Sequence, residues 1–126
     1  MNVIDIDKLA QISEIEFSDI IEDTISGLNR MRIFLRDSTF IDIWYSLTNY
    51  DRYAYHWDRK NIDGMIYRHN NAPPHKKWLR VSTFPKHFHN GFEDRVEASE
   101  IPKRPDEAIR YFLNFVRTKI KNSEIR

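Results

Sequence analysis

The chain contains no cysteine. That excludes disulfides, thiolate nucleophiles and cysteine-built zinc sites. Glycine is nearly as scarce, with three in 126 residues (Gly27, Gly64 and Gly91). A phosphate cradle of glycine-rich backbone, a G-x-S-x-G elbow and a dinucleotide fingerprint are therefore all missing. No stretch approaches the roughly 20 consecutive apolar residues of a membrane helix. The start, Met1 to Asp7, is acidic and lacks the basic-then-apolar pattern of a secretory signal. No repeat or low-complexity linker interrupts the chain. These absences lead to the expectation of a cytoplasmic protein that does not enter the membrane.

What is present suits a packed core. Hydrophobic residues make up 40% of the chain and aromatic residues 13%, which a disordered segment does not carry. The length points to a single domain over residues 1–126. The net charge of +1 conceals an uneven distribution. Residues 1–51 hold 4 basic and 10 acidic side chains, residues 52–104 hold 11 and 6, and residues 105–126 hold 5 and 3. A basic half of this kind can face nucleic acid, or the two halves can neutralise each other within the fold.

Alternation with a period of two marks strands. Met31, Ile33 and Leu35 alternate with arginines and Phe34; Ile41, Ile43, Tyr45 and Leu47 alternate with Asp42, Trp44 and Ser46; Tyr53, Tyr55 and Trp57 alternate with Ala54, His56 and Asp58. Residues 20–26 are either a first strand or the end of a short helix. Asp37-Ser38, Thr48 to Asp51 and Asp63-Gly64 supply turn residues, so an antiparallel meander is expected, with Met65 to Asn70 as a further strand. Asn70 to Pro74 cannot continue a central strand, because proline offers no ladder N–H. Residues 71–91 are accordingly expected to form a long loop, followed by a short strand near Arg95 to Ala98. A helix over about residues 105–121 begins with Pro105, Asp106 and Glu107 and carries one apolar stripe: Ala108, Ile109, Phe112, Leu113, Val116 and Ile120. A short helix near Asp5 to Ile12 is also expected. The fold class is α+β: an antiparallel meander sheet with the C-terminal amphipathic helix packed on one face.

All five histidines lie between His56 and His89. From Arg59 to Lys86 there are seven Lys/Arg against one acid, Asp63. Imidazoles exchange protons near neutral pH, and fixed cations hold phosphate. Antiparallel pairing of Tyr55-His56-Trp57 with Ile66 to Asn70 would place His56 and Arg68 on one face, where the cation would favour the neutral imidazole. The alternative is a hydrogen-bonded structural histidine. His75-Lys76-Lys77 follows the double proline, and His87 and His89 share a face if extended. An H-x-H pair supplies two zinc ligands, with His75, His69 or Glu93 as possible thirds, but no established metal spacing is present. Metal-free, cofactor-free acid–base chemistry at a phosphodiester is favoured. The candidate catalytic residues are His56 or His75 as base, His87 or His89 as acid, and Arg68 on phosphate. Lys76, Lys77, Lys86, Trp78 and Tyr53 are candidate substrate-binding residues, the aromatics as stacking platforms for bases alongside Tyr55 and Trp57, for which core packing is the stronger alternative.

Three segments in order carry a resemblance: Tyr53 to Trp57; Ile66-Tyr67-Arg68-His69-Asn70-Asn71-Ala72-Pro73-Pro74-His75; and Phe84-Pro85-Lys86-His87-Phe88-His89-Asn90-Gly91. With Gly64 between the first two, the chain resembles the TumE family, small prokaryotic toxins of toxin–antitoxin pairs, over roughly residues 20–118. That family has Trp-Asp before Asn-Ala-Pro, where this chain has His69-Asn70. The resemblance implies a toxin and an antitoxin partner of helix-turn-helix type, and no particular reaction. Joined to the His/Lys/Arg cluster, it leads to the expectation of a metal-independent endoribonuclease acting on RNA. The competing expectation is a non-catalytic module that docks nucleic acid or protein.

Overall fold

The computed structural model describes residues 4–49, 51–72 and 81–124. Helix α1 spans Ile6–Glu16. It is followed by strands β1 (Ile21–Ser26), β2 (Arg30–Leu35), β3 (Phe40–Tyr45), β4 (Tyr53–Arg59), β5 (Met65–Asn70), β6 (His87–Gly91) and β7 (Val96–Ala98), and by helix α2 (Pro105–Glu124). The seven strands form one sheet in sequence order, each pair antiparallel. This is the α+β meander expected from the alternation, with the C-terminal helix where its apolar stripe put it.

The turns explain the simple topology. Gly64 takes φ +77° in the return from β4 to β5, a left-handed conformation that glycine adopts without steric cost. Met65 N–H donates to Asp63 Oδ1 at 3.1 Å in the same turn. Ser38 takes φ +73° between β2 and β3, and Asp37 Oδ1 accepts from Thr39 N at 3.0 Å. Asp5 caps α1 by accepting from Lys8 N at 3.1 Å.

The apolar phase of the strands faces the helices. Met31, Ile33 and Leu35 of β2, Ile41, Ile43 and Tyr45 of β3, and Tyr53, Tyr55 and Trp57 of β4 form one core with Leu9 of α1 and Ile109, Phe112, Leu113 and Val116 of α2. Tyr55 and Trp57 are fully buried, and Trp57 Nε1–H donates to Thr39 Oγ1 at 2.9 Å. Part of the acidic N-terminal half is neutralised by α2: Arg110 meets Glu16 at 2.7 Å, Arg117 meets Asp19 at 2.8 Å and Lys121 meets Asp19 at 3.3 Å.

The stretch 71–91 differs in its last five residues. His87–Gly91 is strand β6, paired along β5 from Asn70↔His87 to Ile66↔Gly91. Phe88 points inward between two histidines, so a period of two was present in a segment read for its chemistry.

Candidate active site on the open face of the sheet

Both helices lie on one side of the sheet, so alternate residues of each strand point to the other side. Register then lines up one residue from each strand: Ile25↔Arg32, Arg32↔Asp42, Asp42↔His56, His56↔Arg68, Arg68↔His89 and His89↔Val96. Neighbouring strands are about 4.8 Å apart, so His56, Arg68 and His89 are consecutive members of one row. The adjacent row holds Arg30, Trp44, Ala54, Asn70, His87 and Ala98.

Arg68 is the hub. Its Nη1 donates to His56 Nδ1 at 3.4 Å, and its Nη2 donates to the Glu93 carboxylate. Glu93 comes from the turn between β6 and β7 and is 63% exposed. Because an arginine nitrogen only donates, His56 Nδ1 is the acceptor and its Nε2 carries the proton in the neutral ring. His89 Nδ1 lies 2.7 Å from the Glu93 carbonyl oxygen, and His87 Nδ1 lies 2.9 Å from the Pro85 carbonyl oxygen. A carbonyl only accepts, so both rings are protonated at Nδ1 and present Nε2 as the lone-pair atom when neutral. Their centroids are 5.0 Å apart.

Burial is the main cause that shifts these rings, pulling His56, His87 and His89 below the ordinary imidazole value; the Arg68 cation pulls all three in the same direction. Backbone carbonyls partly offset this at His87 and His89, and nearby carboxylates do so at His56. The hydrogen bond from Arg68 holds the Glu93 carboxyl below the usual carboxylate range. The result is a cation flanked by neutral imidazoles, with His56 half-buried and His87 and His89 at 2% and 1% exposure.

The structure thus brings together four of the candidates: His56, Arg68, His87 and His89. Tyr53 and Lys86 lie elsewhere. Tyr53 is on the helix side, and both line a cavity of about 790 Å³ with Tyr45, Leu9 and Lys103. Lys86 Nζ donates to the Ile101 carbonyl at 2.6 Å. Burial pushes the Tyr53 hydroxyl up to about 12. Tyr55 and Trp57, considered above for stacking, are core residues. His75, Lys76, Lys77 and Trp78 lie outside the described residues. His69, considered as a third metal ligand beside the H-x-H pair, is on the opposite face. Its ring stacks on Phe88 at 4.2 Å, its Nδ1 pairs with Ser99 Oγ at 2.7 Å, and burial lowers its pKa to about 3. Among the described residues no three His, Asp or Glu side chains are set to hold a metal ion.

Three site residues were not singled out from the sequence for this chemistry. Asp42 extends the row beside His56, Glu93 orients Arg68, and Trp44 sits half-buried on the open face. Trp44 left a signal, since it falls on the polar phase of β3, between Asp42 and Ser46.

The architecture is that of a small α+β protein: one antiparallel sheet backed by two helices, with an arginine-centred histidine cluster on the opposite face. The particular family follows from the sequence as a whole: residues 6–120 match the family Toxin TumE, and the chain belongs to it. Membership makes the protein a toxin of a toxin–antitoxin system, with an antitoxin as partner. No curated protein and no solved structure matches the chain. Among the described residues no helix is long and apolar enough to cross a membrane.

Proposed function

We propose that this toxin is a metal-independent endoribonuclease whose site is the His56–Arg68–His89 row. The observation that carries the proposal is the placement of an arginine between two imidazoles in direct cross-strand register. Arg68 holds a non-bridging phosphate oxygen of the scissile linkage and offsets the charge that builds there. His56, kept neutral by burial and by Arg68, takes the proton of the 2′-hydroxyl as its oxygen attacks phosphorus. The bond from phosphorus to the 5′-oxygen breaks, and His89 returns a proton to that oxygen through Nε2. The products are a 2′,3′-cyclic phosphate and a 5′-hydroxyl, and no water or metal enters the balance. A phosphate seated on Arg68 raises the pKa of both imidazoles, which allows His89 to arrive charged.

The cytoplasm is the proposed site of action, and an antitoxin with a helix-turn-helix domain is the proposed partner. Lys76, Lys77 and Trp78, with His75 as an alternative base, are proposed to contact the RNA from the stretch beyond Asn71. Tyr53 and Lys86 are proposed to serve a binding role from the helix side, away from the chemistry.

The burial of His87 and His89 favours one competing function, a non-catalytic module in which the imidazoles shape a nucleic-acid-docking or protein-docking surface. The two are separated by expressing wild type and His56→Ala in a host and resolving total RNA. The ribonuclease reading expects growth arrest with fragments ending in cyclic phosphate for wild type, and neither for His56→Ala. Arrest by both with intact RNA overturns it in favour of the docking module, whose affinity for RNA falls steeply with salt without product.

A further inference from the structure

One aromatic residue sits where a sheet's solvent phase is normally polar. Trp44 shares the open face with Asp42 on β3, while its neighbours Ile43 and Tyr45 enter the core. Register places Arg30 of β2 directly on one side of it and Ala54 of β4 on the other; beyond Ala54 come Asn70 and then His87. His56, two residues along β4 from Ala54, is the diagonal neighbour of Trp44, a separation of about 7–8 Å between backbones.

Each member of this group has a chemical consequence. Ala54 carries only a methyl group, so nothing bulky stands between the indole and Asn70, about 9–10 Å away across two strand spacings. Asn70 Oδ1 is used by Ala72 N at 3.1 Å, which leaves the amide N–H groups of Asn70 as donors toward a polar edge. Arg30 is exposed and, among the described residues, has no carboxylate within ion-pair distance, whereas Arg32 and Arg68 are both paired to acids. An aromatic face, an amide edge and an uncommitted cation, all beside the histidine row, are the parts that take up an unstacked base and its phosphate.

We infer that Trp44, with Arg30 and Asn70, is a nucleobase subsite, and that the chain therefore takes single-stranded RNA laid across the open face of the sheet. A duplex keeps its bases stacked on each other and has none to lend to Trp44. The inference rests on the proposed ribonuclease function for its ligand class, and its test is independent of the chemistry. A second copy of the chain is the competing occupant of this face.

The experiment is fluorescence anisotropy with a short, labelled 2′-O-methyl RNA, which cannot be cleaved through the 2′-oxygen, both single-stranded and annealed to its complement. Wild type is expected to prefer the single strand. Trp44→Ala should raise Kd roughly 5- to 150-fold, the range expected for one stacked base, while Trp44→Phe stays within about fivefold of wild type. Arg30→Ala should lessen the slope of log Kd against log salt by about 0.7, the share of one phosphate contact on a single strand. Circular dichroism of each variant establishes that it is folded. Equal binding by folded Trp44→Ala, equal affinity for the duplex, or no binding by wild type overturns the subsite. So does light scattering that shows a wild-type dimer and a Trp44→Ala monomer, because a second copy then covers the face. Binding that depends on Trp44 without cleavage of ordinary RNA sustains the subsite and removes the ribonuclease reading. Cleavage with binding indifferent to Trp44 does the reverse.

Discussion

At the scale of single residues, the arrangement around Arg68 explains why a cation and three imidazoles coexist on one sheet face. Charged imidazoles there would repel Arg68 and one another; burial keeps them neutral, and Glu93 absorbs one edge of the guanidinium. The other edge faces His56 with a hydrogen bond of 3.4 Å, loose enough to be exchanged for a phosphate oxygen. Arginine and lysine are not equivalent in such a place, since the rigid planar fork presents separate nitrogens to Glu93 and to His56 at a fixed spacing, whereas an ammonium has all its donors on one atom. Under the ribonuclease function proposed above, Arg68→Lys is expected to lower RNA cleavage about 100-fold, the scale of losing one preorganised donor to a developing charge. Its melting temperature should stay within a few degrees of wild type, because Arg68 is not part of the hydrophobic core. A single-turnover assay beside a thermal melt checks both halves of the expectation.

At the scale of elements, the sheet is held in register by packing on the helix side and by clips at its turns. Arg59 at the end of β4 is one such clip. It donates to Asp37 in the β2–β3 turn at 2.8 Å and to Asp63 in the β4–β5 turn at 2.9 Å, and its guanidinium lies 4.7 Å from the centre of the Trp57 ring. With 7% exposure it is the most buried cation among the described residues. Removing it leaves two carboxylates facing each other without their partner. Arg59→Ala should cost about 2–4 kcal/mol, between the values for an exposed pair and a fully buried one, as measured by urea denaturation. The exposed pair of Arg110 on α2 with Glu16 on α1 is expected to matter much less, Arg110→Ala leaving the urea midpoint close to that of wild type. The elements themselves were largely legible in the sequence, because a period of two and an apolar helical stripe are local properties. His87–Gly91 was not, since its inward residue is one phenylalanine between two histidines, and the chemical meaning of H-x-H competes with its structural one.

At the scale of the whole molecule, histidines held neutral make stability depend on pH. His69, His56, His87 and His89 all have native pKa values below the unfolded value of 6.5, with His69 at about 3. As pH falls from 6.5 the unfolded chain takes up protons that the native chain refuses, so stability is complete above that value and declines below it. Each such group contributes a slope of up to about 1.4 kcal/mol per pH unit. Urea midpoints should therefore change little between pH 7.5 and about 7 and then fall progressively toward pH 5, before the carboxylates Glu93, Glu16 and Asp19 add their own losses at more acid pH. A flat midpoint across that interval would contradict the buried, neutral state of the histidines. What the sequence by itself determined is β2 to β5, the C-terminal helix, their antiparallel order and the alternation of faces along those strands, because these follow from local periodicity and turn chemistry; β6 was not among them. The sequence offered His56 and Arg68 as neighbours on one face only if the strands paired in that register, and the observed pairing of β4 with β5 across residues 60–64 sets them opposite each other. Only the tertiary structure decided which face the helices cover. That choice put Tyr53, Tyr55, Trp57 and His69 on the covered side, brought His89 to Arg68 across a pairing that follows a long excursion, and left Trp44 on the open face. Burial is a property of how elements stack, and a strand's alternation says that it has two faces without saying what each one meets.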